Sequence, residues 1–145
     1  MTDWTIRRAR AADSEALAAC IDAAYAPYAE RISDLPPVSA NCAREIANAL
    51  VWVAERDDRI VGGLVLVPRD GYLQFANVAV HPDQQGTGLG RAFMELAERE
   101  AVSRRYSEMR LNTHADMTGN IRLYSRQGWR QTGRSGNTVS MSKAL

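Results

Sequence analysis

The sequence predicts a mixed α/β fold, in which a mostly antiparallel sheet holds one parallel βαβ crossover and is flanked by about four helices. Three observations carry that prediction. Residues 50–55 and 60–67 are rich in Val, Ile and Leu and bracket the polar turn Arg56-Asp57-Asp58-Arg59. A third such run, 72–80, comes after the Asp70-Gly71 turn signal, so three consecutive strands make an antiparallel meander. After Val80 a glycine-rich loop leads into an amphipathic stretch and then a strand over 108–113, an order that makes a parallel crossover. Residues 129–132 and 138–141 close the chain as a hairpin.

Residues 4–7 are a short first strand. Asp13 or Ser14 then caps a helix, since either side-chain oxygen can accept an orphan backbone N–H. Along that helix Leu17, Ile21, Ala24, Tyr25 and Tyr28 share one face. Pro27 falls near its end, and Pro36-Pro37 breaks the chain. A shorter helix covers 42–49. In the crossover helix Leu89, Phe93, Leu96, Ala97 and Ala101 recur on one face. Glu95 with Arg99 and Glu100 with Arg104 form i,i+4 pairs on the other. A last helix spans 118–127, with Gly128 placed to end it in the left-handed conformation.

Composition limits the partners. The 145 residues suit a single domain over 1–145, with no internal repeat or low-complexity tract. Eighteen basic against seventeen acidic residues leave a net charge of +1, which gives no electrostatic case for nucleic acid or an anionic membrane. Cys20 and Cys42 are too few for a disulfide framework or a metal site and read as reduced thiols. His81 and His114 belong to no cysteine-hydrolase motif and read as loop residues. No stretch approaches the roughly 18 apolar residues of a membrane span, and the first residues hold no signal-like apolar region. The expected location is therefore the cytoplasm.

The informative segment is Gln85-Gly86-Thr87-Gly88-Leu89-Gly90, between a strand and a helix. Glycines there let the backbone approach a ligand, and the first N–H groups of the helix, with its positive dipole end, suit phosphate or pyrophosphate. A dinucleotide fingerprint would need glycine where Arg91 stands. A nucleoside triphosphatase loop would need Gly-Lys-Ser/Thr, a tripeptide the chain lacks. The loop resembles the Q/R-x-x-G-x-G/A signature of the GNAT family of N-acetyltransferases. The likeness continues through Asn77-Val78-Ala79-Val80-His81-Pro82 before the loop and Ala97-Glu98 after it. A second block, Met117-Thr118-Gly119-Asn120-Ile121-Arg122-Leu123-Tyr124 with Gly128-Trp129, is similar to the family's C-terminal motif.

That resemblance implies a GNAT-like fold that uses acetyl-CoA as cosubstrate, without metal, to acetylate a primary amine by direct attack in a ternary complex. By similarity, the strand from Asn77 through Val78, Ala79 and Val80 offers its backbone to the pantetheine arm. This requires the next, parallel strand to splay away. Backbone N–H groups of Gln85, Gly86, Thr87, Gly88, Leu89, Gly90 and Arg91 then hold the pyrophosphate, and an N–H near Val78 polarises the thioester carbonyl. Tyr124 is the implied general acid for the departing thiolate. Asn120 either hydrogen-bonds the cofactor arm or only caps its helix. Tyr25, Tyr28 and Asn77 are candidate acceptor-side residues, and core packing is an equal reading of the two tyrosines. A homodimer is the expectation by analogy with the fold.

The chain departs from the family pattern at Ala76, where close relatives commonly carry a glutamate that serves as general base. An alkylamine is mostly protonated at neutral pH, and a protonated amine has no lone pair to attack. Glu30, Asp34, Tyr25 and Tyr28 are the candidate bases, or else the acceptor is a weaker base. The same gap motivates an alternative, a non-catalytic acyl-CoA-binding module.

Overall fold

A computed structural model describes residues 4–34 and 39–145 of the chain. Its strands are β1 (Thr5–Arg8), β2 (Leu50–Arg56), β3 (Arg59–Pro68), β4 (Leu73–Val80), β5 (Glu108–His114), β6 (Arg130–Ser135) and β7 (Thr138–Ala144). They form one sheet in the order β1-β2-β3-β4-β5-β7-β6, antiparallel throughout except where β4 meets β5. The helices are α1 (Ser14–Ala29), α2 (Cys42–Asn48), α3 (Leu89–Ser103) and α4 (Thr118–Arg126). Among the described residues, no helix is long and apolar enough to cross a membrane.

Local chemistry sets the turns. Asp57 and Asp58, at φ of 51° and 62°, make the two-residue turn between β2 and β3, a left-handed conformation that short polar side chains tolerate. Between β3 and β4 the turn is closed by the Arg69 N–H on the Tyr72 carbonyl at 3.0 Å, with Gly71 at φ 88°.

Helices α3 and α4 cover one face of the sheet, and α1 and α2 cover the other over β2 to β4. Leu64, Leu66, Phe75 and Met109 pack with Phe93 and Ala97 of α3 and Tyr124 of α4. Val51, Val53 and Val65 pack on the other face with Leu17 and Ile21 of α1 and Cys42 of α2. The pair Gly62-Gly63 on β3 makes both contacts close, because adjacent strand residues face opposite sides. A Cβ at Gly62 would stand 2.9 Å from both Leu89 and Phe93 and 3.1 Å from the Ala79 carbonyl. One at Gly63 would collide with Leu17.

One irregularity in β4 shapes the sheet around it. Val65 pairs with Asn77 and Leu66 with Phe75, so Ala76 is an extra residue with no partner on β3. Phe75 and Val78 consequently face α3, while Ala76 and Asn77 both turn toward α1. A bulge bends its strand. β4 and β5 are paired only at Leu73 with Met109 and Gln74 with Arg110, and beyond that they part.

The expected order of elements holds, with corrections at their ends. β1, β4 and β6 begin one residue later than expected, β3 begins one residue earlier, and several strands run longer. No side chain caps α1. The Asp13 carboxylate instead takes the Arg7 guanidinium at 2.8 and 3.0 Å and the Arg10 N–H at 2.7 Å. A charged fork outcompetes a neutral amide for a carboxylate, and it holds Asp13 well below the usual range, at about 2, against the opposing effect of burial. Glu95 pairs with Arg91 at 3.2 Å rather than with Arg99, whereas the Glu100–Arg104 pair forms at 3.1 Å. The Pro36-Pro37 break lies outside the described residues.

Substituting Gly62→Val forces two packed side chains of α3 off the sheet. Overpacking of this kind destabilises by about 1–3 kcal/mol, and a urea titration should show a lower midpoint with an unchanged slope.

Candidate active site

The loop between β4 and α3 is anchored from below and open above. A short 3-10 turn, Pro82–Gln84, succeeds β4 and buries Gln84. The Thr87 hydroxyl donates to the Gln84 carbonyl at 2.6 Å and accepts the Trp4 indole N–H at 3.3 Å, which ties the loop to the start of the chain. Gly86 and Gly88 stand at φ of 82° and 86°, where a Cβ is disfavoured, and nothing lies within 4 Å of the position it would take. The Gln85 and Thr87 N–H groups are used internally, on the carbonyls of Pro82 and Gln84, and the Ala92 N–H reaches the Gly88 carbonyl. Those of Gly86, Gly88, Leu89, Gly90 and Arg91 find no acceptor among the described residues. Five free donors at the positive end of a 15-residue helix suit an anion.

The parting of β4 from β5 continues this loop into a pocket of about 200 Å³. Its walls include Val78, Ala79 and Val80 of β4, Gln85 and Gly90 of the loop, Met94 of α3, and Asn120 and Tyr124 of α4. No side chain caps α4, so Asn120 serves no capping role and faces the pocket. Tyr124 is held from two sides. Gly128, at φ 94°, ends α4 with its N–H on the Ser125 carbonyl at 3.2 Å, and the Trp129 N–H reaches the Tyr124 carbonyl at 3.0 Å. The Tyr124 ring then packs at 6.1 Å from both Phe75 and Trp129. No protein group among the described residues hydrogen-bonds its hydroxyl. Burial, with Tyr25 and Tyr28 nearby, pushes that hydroxyl above the usual tyrosine range.

α1 forms the opposite wall. Tyr25 and Tyr28 line the pocket with ring centroids 6.4 Å apart, and the Tyr25 hydroxyl donates to Asn77 Oδ1 at 3.0 Å. Burial, then the neighbouring Tyr28, pushes Tyr25 up to about 12. The sequence thus brings Tyr25, Tyr28, Asn120 and Tyr124 to one cavity with the β4 edge and the glycine loop. Of the other candidate bases, Glu30 is exposed and off the pocket wall. Asp34 is occupied at both oxygens: His114 Nε2 stands 2.7 Å from Oδ1, and Asn137 Nδ2 donates to Oδ2 at 2.8 Å. His114 Nδ1 accepts the Asp116 N–H at 3.0 Å, which assigns the ring proton to Nε2. The Asn137 and then the His114 contact hold Asp34 below its ordinary value, which makes it a weaker base.

Sequence reasoning missed this clasp, whose members stand 80 and 103 positions apart. It also missed Ala24, Met94, Met117 and Leu123 of the wall. Ala24 reads in the sequence only as part of the α1 stripe, and Met117 and Leu123 only as part of the C-terminal block, while Met94 carries no signal of its own. A wider cleft of about 680 Å³ on the uncovered face of β5 and β7 is a poorer candidate. Its charged groups are already engaged, Arg110 with Glu108 at 2.6 Å and Arg69 with the neutral Gln74 amide at 2.8 Å.

Comparison with known proteins matches these features. The model of the Acetyltransferase (GNAT) family fits residues 15–129. Among solved structures, the PaiA N-acetyltransferase of Thermoplasma acidophilum in complex with coenzyme A is similar at a TM-score of 0.85 and 18% identity, over 99% of this chain and 100% of that one. A GNAT-family acetyltransferase of Staphylococcus aureus Mu50 is similar at a TM-score of 0.85 and 15% identity, over 98% and 99%. A GNAT-family acetyltransferase of Elizabethkingia anophelis with acetyl-CoA bound is similar at 0.72 and 20%, over the whole of both chains. These identities establish a shared fold, and the family match extends over most of the chain, from α1 to the start of the terminal hairpin. The chain belongs to the GNAT acetyltransferase family.

Proposed function

We propose that this protein transfers the acetyl group of acetyl-CoA to a primary amine by direct attack, with both substrates bound together. The observation that carries the reading is the continuous track of unused backbone groups, from the β4 edge past the bulge to the five free N–H groups of the glycine loop. The complexes of the Thermoplasma and Elizabethkingia proteins with coenzyme A and acetyl-CoA support it. In this reading the N–H groups of Gly86, Gly88, Leu89, Gly90 and Arg91 hold the pyrophosphate, with Gln85 and Thr87 shaping the loop. The β4 backbone from Val78 to Val80 pairs with the pantetheine amides, and a β4 N–H near Val78 stabilises charge on the thioester oxygen. Asn120 hydrogen-bonds the arm, and Tyr25, Tyr28 and Asn77 form the acceptor wall. Holding both reactants in one cavity supplies much of the rate.

Tyr124 stands where the sulfur would leave. Its raised pKa keeps the hydroxyl protonated as a hydrogen-bond donor to the developing thiolate, and because the same shift makes it a weaker acid, its proton passes to sulfur only as the attacking nitrogen gives up one of its own. A second reading, an acyl-CoA-binding module without catalysis, is favoured by the absence of a carboxylate from the pocket wall among the described residues.

The two readings separate on one measurement. Acetyl-CoA and CoA raise the melting temperature under both, by several degrees at about 100 times Kd, but only an enzyme releases free thiol when amines are added. Thiol release across an amine panel is the expected result; stabilisation by acetyl-CoA with no release from any amine would leave the binding module. Gly88→Glu places a bulky anion at a left-handed position in the phosphate loop and should abolish the acetyl-CoA melting shift. Tyr124→Phe should lower kcat by roughly 100-fold, the low end of general acid–base contributions, with acetyl-CoA affinity nearly unchanged; full turnover in that variant would remove Tyr124 from the mechanism.

A further inference from the structure

An acceptor amine must present a free lone pair to the thioester carbon, and one proton must leave nitrogen by the time the amide forms. The source of that lone pair depends on which groups face the acceptor side. On α1 these are Tyr25 and Tyr28, and on α4 Tyr124. Behind Tyr25, β4 turns the Ala76 methyl and the Asn77 amide toward α1, neither of them titratable and neither on the pocket wall itself. At the end of β5, both nitrogens of His114 are taken, by Asp34 and the Asp116 N–H. Both Asp34 oxygens are taken in turn. Asp116 and Glu30 are exposed and lie off the pocket wall, and Asp22 and Glu45 flank Cys42 rather than the pocket. The four residues after Asp34 are Leu35, Pro36, Pro37 and Val38, none with a side chain that titrates. One cation does stand close: the Arg31 guanidinium lies 5.4 Å from the centroid of the Tyr28 ring. An arriving ammonium would meet the Tyr25 and Tyr124 hydroxyls, both held above the ordinary tyrosine range by burial, and a charge of its own sign.

We propose that the acceptor is a weakly basic amine, such as an α-amino group, an aromatic amine or a hydrazine, which enters the site already neutral because no group among the described residues there is placed to deprotonate it. This rests on the acetyl-transfer reading above and narrows its substrate class. The proton count then closes without an enzyme base. The amine nitrogen forms the new bond to the acetyl carbon, and the C–S bond breaks with its electron pair going to sulfur. The proton lost from nitrogen replaces the one that the Tyr124 hydroxyl gives to the thiolate. A strongly basic amine arriving as ammonium would carry one proton more than this exchange can absorb. At pH 7 an amine with a pKa of about 8 is roughly one-tenth neutral, and one near 10.4 only about one part in 2,500, a difference of about 200-fold.

The test is kcat/KM by thiol release over pH 6–9.5 for a panel of amines with pKa from about 5 to 10.5. Each profile should follow the neutral fraction of its own acceptor, so that inflections inside this range move with the substrate, amines of lower pKa give flat profiles and those near 10.5 still rise with unit slope at its upper end. At pH 7 the weak bases should exceed the strong ones by about 100-fold. In the Ala76→Glu variant, checked for folding by its melt, the new carboxylate should raise the strong bases at least tenfold and leave the weak ones within a factor of a few. An inflection shared by every amine, or a preference for strong bases at pH 7, overturns this inference while leaving acetyl transfer in place. No thiol release from any amine overturns both.

Discussion

Where β4 leaves β5 after Gln74, the sheet forgoes hydrogen bonds that a regular parallel pair would keep, and β4 backbone groups are left facing a gap. Unpaired strand edges invite another extended chain. Here the gap is narrow, walled by α1 and α4, and the extended chain that suits it is a ligand. The single inserted residue Ala76 makes this possible. It bends β4 at the point of departure and turns two successive side chains toward α1, so that Asn77 can receive the Tyr25 hydroxyl.

The supporting structure keeps this opening from closing. Gly62-Gly63 lets α3 and α1 sit close on opposite faces of β3, which fixes both walls against one strand. The C-terminal cap of α4 and the Phe75–Trp129 contacts hold Tyr124 against the sheet rather than leaving it to swing. At the far rim the Asp34–His114–Asn137 clasp joins the segment after α1, the end of β5 and the last turn of the sheet. Together these contacts hold the walls of the pocket apart and fix their relative positions.

Much of the architecture was legible in the sequence because it rests on local rules. Alternating apolar runs, the two-aspartate turn, the 3.6-residue stripe from Leu89 to Ala101 and the left-handed stop at Gly128 each have a short-range cause. So does the glycine loop, whose residue types alone imply free amides at a helix start. The bulge was not legible, since nothing in Phe75-Ala76-Asn77 distinguishes an inserted residue from a paired one; its cause is register against β3. The expected cap at Asp13 failed for a related reason. Its carboxylate found Arg7, a stronger partner supplied by the neighbouring strand. Long-range pairs such as His114 with Asp34 lie beyond any window of periodicity.

The strand order carries one further consequence, for how the molecule comes into being. β7 lies between β5 and β6, so the outer edge of β5 is satisfied only by the strand of this sheet that is made last. The β2–β3–β4 meander needs only neighbouring segments and can assemble as the chain emerges, whereas β5 waits for residues 138–144. Throughout that interval its apolar residues Met109 and Leu111 sit on a strand with an open side, the condition under which nascent chains pair with one another. Biogenesis is therefore most exposed in its final step, and a chain cut short within the terminal hairpin would be a stronger candidate for chaperone capture than one cut in the middle of the sheet.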